Sequence, residues 1–171
     1  AKLQSGSSIK PIAIYAPGFE QGTLTPATVI KDLPLNYNVM SWGPYPKNDD
    51  REYDYSNTIF GGVTLSTNAI AAQTLMKITT DYSFDFAKNK FGISTLVDNY
   101  TSSNGKVHSD NGVAALALGA QTWGVHVRDM AGAFATFASN GVRREERTFT
   151  KVYDSNGNLI LDNTQDTEQI L

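Results

Sequence analysis

The 171-residue chain has no cysteine. That excludes disulfides, thiolate zinc sites and a cysteine nucleophile. It has two histidines, His108 and His126, too few for a multi-histidine metal centre. No apolar run approaches the ~18 residues that a bilayer crossing needs, and the mean hydropathy is −0.29. Excess basic charge is lacking too. Fourteen Lys and Arg against 17 Asp and Glu leave a net charge of −3, which argues against a general nucleic-acid binder. What remains is 40% hydrophobic and 18% charged, a composition that folds as one globular domain. The start Ala1-Lys2-Leu3-Gln4 carries neither Met nor a signal peptide, and Glu168-Gln169-Ile170-Leu171 reads as the opening of a helix. Residues 1–171 are therefore expected to be a partial domain cut at both ends.

Along the chain, Gly6-Ser7-Ser8 leads into a helix with Pro11 in its first turn and Pro17-Gly18 as its stop, Ser7 or Ser8 being the expected cap. Residues 22–57 hold Pro26, Pro34, Pro44 and Pro46 among Asn, Tyr and Asp and read as irregular surface with one short strand. Trp42, Tyr45, Tyr53 and Tyr55 there are loop anchors or groove-lining aromatics. Apolar periodicity predicts helices over 67–79, 82–89, 113–118 and 127–139, the last stopped by Asn140-Gly141. The pattern then alternates over 148–153, turns at Ser155-Asn156-Gly157-Asn158 and resumes at Leu159-Ile160-Leu161, a β-hairpin with an Asn-Gly tip. The fold class is α/β (α+β), a helical block followed by part of an antiparallel sheet.

The sharpest chemical candidate is Ser7-Ser8-Ile9-Lys10. Residues three apart on a helix share a face, so a neutral Lys10 amine could take the proton of the Ser7 hydroxyl, and burial is what pushes a lysine toward neutrality. Thirteen serines and nine lysines produce about 0.7 such pairs by chance, and a second copy, Ser103-Asn104-Gly105-Lys106, is explained by turn chemistry alone. Taken by spacing alone, the favoured reading is Ser7 as a helix cap and Lys10 as a solvated side chain. Ser66-Thr67-Asn68 precedes the next helix, where a hydroxyl and an amide could relay a proton and hold a carbonyl, or where Ser66 simply caps.

Longer stretches carry more. Ser5-Gly6-Ser7-Ser8-Ile9-Lys10-Pro11 resembles the Gly-Ser-x-x-Lys-Pro stretch of class A penicillin-binding proteins, in their transpeptidase domain. Ser66-Thr67-Asn68 with its following helix is similar to that family's Ser-x-Asn motif. Phe86-Ala87-Lys88 through Phe91-Gly92-Ile93, Ala117-Leu118-Gly119 with Gly124-Val125, residues 130–141 and the Asp154-to-Leu159 hairpin follow in the family's order.

The resemblance implies a penicillin-binding-protein/β-lactamase-like fold and a serine acyl-enzyme mechanism. Ser7 is the implied nucleophile, Lys10 its base, Ser66 a proton relay and Asn68 an orienting amide. Ser7, Asn68 and Trp123 are the implied substrate contacts. Implied partners are a D-Ala-D-Ala stem peptide, an amine acceptor, β-lactams and the remaining C-terminal segment of the same protein, with no nucleic acid, and no metal or organic cofactor is implied. The implied location is the extracytoplasmic face of a bacterial membrane, in an anchored parent. Three departures stand out. None of the nine lysines precedes Thr-Gly or Ser-Gly, the family's third motif. Val63-Thr64-Leu65 runs straight into Ser66, and Arg143-Arg144-Glu145-Glu146 replaces the usual link into the hairpin. A serine β-lactamase or β-lactam sensor of the same fold, and an inactive scaffold fragment, are the alternatives. A hairpin without neighbouring strands is marginal, so the isolated chain is expected to be unstable or to be found beside its missing partner segment.

Overall fold

A helix apolar on every side must be enclosed by others, and the first helical run is of that kind. Ile9, Ile12, Ala13, Ile14, Tyr15 and Ala16 are all buried. The structure, a computed structural model, describes residues 1–37, 43–50 and 52–171. Trp42 and Arg51 lie outside the described residues.

Strand β1 (Lys2–Leu3) leads into this run, which changes geometry twice. It comprises a 3-10 turn Gly6–Ile9, a π-turn Pro11–Tyr15 and helix α1, Ala16–Glu20. No serine caps it. Ser5 stands at the cap position without a side-chain bond to the helix N–H groups, and the Ser8 hydroxyl donates back to the Ser5 carbonyl at 2.6 Å. Pro17-Gly18, the expected stop, lies inside the run. Each proline is the first or second residue of one of the segments, where a helix best tolerates a missing N–H. Gly18 is there for space, since a Cβ would fall 2.2 Å from Leu24 Cδ1. The run ends at Gly22, φ +72°.

Strands β2 (Val29–Asp32) and β3 (Tyr55–Thr58) pair antiparallel, Val29 opposite Thr58 and Asp32 opposite Tyr55. The expected single strand of this stretch is thus a pair. Helix α2 (Ile59–Thr64), which the sequence did not suggest, follows, with the Thr58 hydroxyl accepting from Gly61 N. Helices α3 (Asn68–Ile78) and α4 (Thr80–Asp85) meet at Thr79, φ 74°, and α4 runs on as a π-turn, Phe86–Lys90. Ile70, Ala71, Leu75 and Ile78 of α3 join the first run in the core. The buried Ser83 hydroxyl of α4 donates to the Ala13 carbonyl.

Beyond them lie the pair β4 (Tyr100–Thr101) and β5 (Val107–His108) and helix α5 (Val113–Leu116). Strand β6 (Val125–His126) pairs with β1 and leads into helix α6 (Val127–Ala138). Strand β7 (Val142–Arg144) pairs with β10 (Thr167–Gln169). The chain end is accordingly a strand rather than the opening of a helix, held by buried Ile170 and its bond to Gly141 O. Strands β8 (Lys151–Tyr153) and β9 (Leu159–Asp162) form the expected hairpin around Gly157, φ 84°. Helices and short antiparallel pairs together make the α/β class. Among the described residues no helix is long and apolar enough to cross a membrane.

Candidate active site

In a 3-10 turn, side chains at i and i+3 eclipse one another. Ser7 and Lys10 therefore share one face, and the Lys10 N–H closes the turn on the Ser7 carbonyl. From there the two part. Ser7 is exposed and its hydroxyl makes no hydrogen bond to any described residue. Lys10 runs inward and is 2% exposed.

The Lys10 amine meets the link between α2 and α3. Its Nζ donates to the Ser66 carbonyl at 2.6 Å and to Asn68 Oδ1 at 2.6 Å, and stands 3.3 Å from Ser66 Oγ. Ser66 has φ 55°, a conformation that L-residues rarely adopt and that recurs at functional sites. The link is folded back on α2 by Ser66 N to Val63 O at 3.2 Å and Thr67 N to Gly62 O at 3.0 Å.

Two of the three partners can only accept. A neutral amine satisfies both with its two N–H groups, which leaves its lone pair for a hydroxyl. No carboxylate among the described residues pairs with Lys10, and burial lowers its pKa from 10.5 to about 8. At pH 7 roughly a tenth of the amine is then neutral. A base of that strength beside hydroxyls is suited to activating a serine.

The structure thus gathers Lys10, Ser66 and Asn68 into one cluster and leaves Ser7 on the same turn with its hydroxyl unbonded. Trp123 has other contacts. Its ring lies edge-on to Tyr100 at 4.7 Å, with Lys2 Nζ 5.1 Å from its centroid, and no hydrogen bond or ring contact joins it to the other four. The second Ser-x-x-Lys sits in an exposed turn closed by Gly105 N to Ser102 O at 2.9 Å. His108 touches Ser102 Oγ at 3.3 Å. Among the described residues no group of three or more His, Asp or Glu could hold a metal ion.

Sequence reasoning missed the braces. Gln121, 2% exposed, donates from Nε2 to Ser5 Oγ at 2.7 Å and accepts at its carbonyl from Gln4 Nε2 at 2.8 Å. It thereby ties down the strand that enters the Ser7 turn. Buried Asp110 holds the next residue, Thr122, at N and Oγ1, both 2.7 Å. The Lys47 carbonyl accepts from Asn68 Nδ2 at 2.8 Å. The one local signal was a Gln or Asp in an otherwise apolar or turn context, which has no spacing rule.

A serine on the same turn as a buried, weakly basic lysine, with a second serine and an asparagine around the amine, is the set of groups that serine–lysine acyl transfer needs. The chain belongs to the penicillin binding protein transpeptidase domain family, whose family model matches residues 1–170. It is 33% identical over 171 residues to penicillin-binding protein 1F of Bacillus subtilis, covering 99% of this chain and 21% of that protein. To penicillin-binding protein 1A of Clostridium acetobutylicum it is 32% identical, covering 97% of this chain and 20% of that protein. The chain therefore spans about a fifth of the length of these curated relatives. Among solved structures, PonA1 of Mycobacterium tuberculosis in complex with penicillin V superposes with a TM-score of 0.72 at 26% identity, over 97% of this chain and 43% of that one.

Proposed function

We propose that this chain carries the acyl-transfer centre of a D,D-transpeptidase that cross-links peptidoglycan stem peptides. The observation that carries the reading is the Lys10 amine, buried without a carboxylate and held by Ser66 and Asn68. In this reading Ser7 Oγ attacks the D-Ala-D-Ala carbonyl while its proton passes to neutral Lys10. The Ser7 N–H stabilises the oxyanion. As the C–N bond breaks, Ser66 relays that proton to the departing D-alanine amine, and Asn68 orients the substrate amide. An acceptor amine then attacks the acyl carbon and gives its proton to Lys10. The Ser7 O–C bond breaks as Lys10 returns that proton to Ser7 Oγ, leaving the new cross-link, a free serine and a neutral amine. A β-lactam enters by the same first step, but its leaving nitrogen stays tethered.

The remaining segment of the parent protein supplies the second oxyanion donor and the contact to the substrate carboxylate. Surface for it exists. An apolar groove of about 380 Å³ is lined by Pro11, Tyr15, Phe19, Val63, Phe137 and Leu171, among others, and the β8–β9 hairpin buries none of its strand residues. The reaction site belongs on the extracytoplasmic face of a bacterial membrane, in an anchored parent protein. No cofactor takes part.

The test is labelling of the full-length parent protein with a fluorescent penicillin. One label per chain, lost in Ser7→Ala, supports the reading. A folded wild-type protein that takes no label overturns it in favour of a scaffold, and rapid hydrolytic release of the label overturns it in favour of a β-lactamase.

A further inference from the structure

Asn68 is useful to Lys10 only one way round. Its amide carries an acceptor and a donor of nearly the same shape, and a base needs the oxygen facing it. In the structure Oδ1 receives Lys10 Nζ at 2.6 Å while Nδ2 is turned away to the Lys47 carbonyl at 2.8 Å. The backbone at Lys47 therefore decides which end of the amide Lys10 meets.

That backbone is held by the next residue. Asn48 is 6% exposed and lies in the loop between β2 and β3. Its Oδ1 accepts from Ala69 N at 2.9 Å, in the first turn of α3. Thr67, at the cap position of that helix, makes no side-chain cap bond, so Asn48 supplies from across the fold what the local sequence does not. Its Nδ2 donates to Asp32 Oδ1 at 2.8 Å and to the Glu52 carbonyl at 2.8 Å. Asp32 is 3% exposed, and its other oxygen accepts from Asp54 N at 3.0 Å. An unbroken path of hydrogen bonds and one peptide link thus runs from a buried carboxylate at the end of β2 to the Lys10 amine.

We infer that Asn48, anchored on Asp32, is a positioning residue for acyl transfer, fixing the Lys47 carbonyl against the start of α3 so that Asn68 offers its oxygen to Lys10. The inference rests on the proposed reading of Lys10 as the base. Loss of Asn48 frees the loop and lets the Asn68 amide turn, with Ser7 and Lys10 themselves untouched. A misplacement of about 1 Å at such a centre costs on the order of 100-fold in rate.

The experiment measures both the rate and the final stoichiometry of fluorescent-penicillin labelling in the full-length parent protein. Asn48→Ala is expected to label roughly 10- to 100-fold more slowly and still reach one label per chain. Asn48→Asp keeps the oxygen for Ala69 N but sets a carboxylate against Asp32, and labels at least as slowly. Adding Asp32→Asn to Asn48→Asp restores one donor–acceptor pair with the roles exchanged, and recovers about tenfold of the rate. A structural role alone would lower the fraction of chains labelled and leave the rate per labelled chain unchanged. That result overturns the inference, as does wild-type labelling by Asn48→Ala or a double variant no faster than Asn48→Asp. If the folded wild-type protein takes no label, the acyl-transfer reading fails and the inference falls with it. If wild type labels and only these variants fail to slow, the inference alone falls.

Discussion

The chain contains Ser-x-x-Lys twice, and the two copies differ in everything except spacing. Around Ser103 and Lys106 the hydrogen bonds come from the immediate neighbourhood. Ser102 N reaches the Lys106 carbonyl at 2.9 Å, and Ser102 Oγ reaches Asn104 Oδ1 at 2.6 Å and the Lys106 carbonyl at 2.9 Å. Ser103 and Lys106 are exposed. Lys10 has partners 56 and 58 residues away in sequence and almost no exposed surface. Spacing puts a lysine beside a serine. Burial without a counter-charge is what turns the lysine into a base, and burial is a property of the rest of the fold.

The largest effect expected from breaking this contrast is on the lysines. Lys10→Ala should lower the rate of β-lactam acylation by about 10³-fold. Lys10→Arg should do as badly, because a guanidinium keeps its proton at any working pH. Lys106→Ala should label at the wild-type rate. Stopped-flow labelling of the three variants beside wild type checks all of this, and equal losses at Lys10 and Lys106 would refute the contrast.

The next effect is in pH. Lys10 loses its proton near pH 8 in the folded protein rather than near 10.5, so acylation should climb about tenfold per pH unit below 8 and level off above it. Stability follows the same group. Between those two values the unfolded chain holds a proton that the folded chain has shed. Unfolding is therefore opposed more strongly as pH rises through that window, and below pH 8 the cost of the buried ammonium is present in full. Thermal melting at pH 7 and pH 9.5 should show wild type gaining on Lys10→Met over that interval. A gain of the opposite sign would mean that the amine is not desolvated.

Much of the helical block was legible because its signals are local. The apolar periodicity over 67–79 and 127–139 lies within two residues of the bounds of α3 and α6, and Asn156-Gly157 marked the hairpin. Helix α2 was hidden by Gly61-Gly62, which lower helix propensity. Gly62 is retained because a Cβ there would lie 2.6 Å from Ile70 Cγ2. The β2–β3 pair was missed for a different reason, since its strands lie more than twenty residues apart and each is too short to announce a partner. At the site, spacing and resemblance named Lys10, Ser66 and Asn68. Neither could name Asn48 or Gln121, whose roles are hydrogen bonds to remote backbone and leave no periodic trace.

Each serine turn also has a glycine with positive φ against it or within it, and this permits the finest test of the comparison. Gly105 (φ +81°) has nothing within 4 Å of the position a Cβ would take, whereas at Gly119 (φ +75°) a Cβ would lie 2.0 Å from Gly6 O and 2.4 Å from Gly6 N. Alanine at either site must hold a left-handed conformation, at a cost of about 1–2 kcal/mol. At Gly105 that is the whole effect, so Gly105→Ala should lower the melting temperature slightly and leave labelling unchanged. At Gly119 the neighbouring atoms are backbone and cannot swing aside. Gly6 must move, and Ser7 moves with it. Gly119→Ala should therefore lose a further ~1–3 kcal/mol from overpacking and slow acylation at temperatures where the protein is still fully folded. If the two alanine variants melt alike and label alike, then the close approach of Gly119 does not fix the Ser7 turn, and Ser7 is held no more firmly than Ser103.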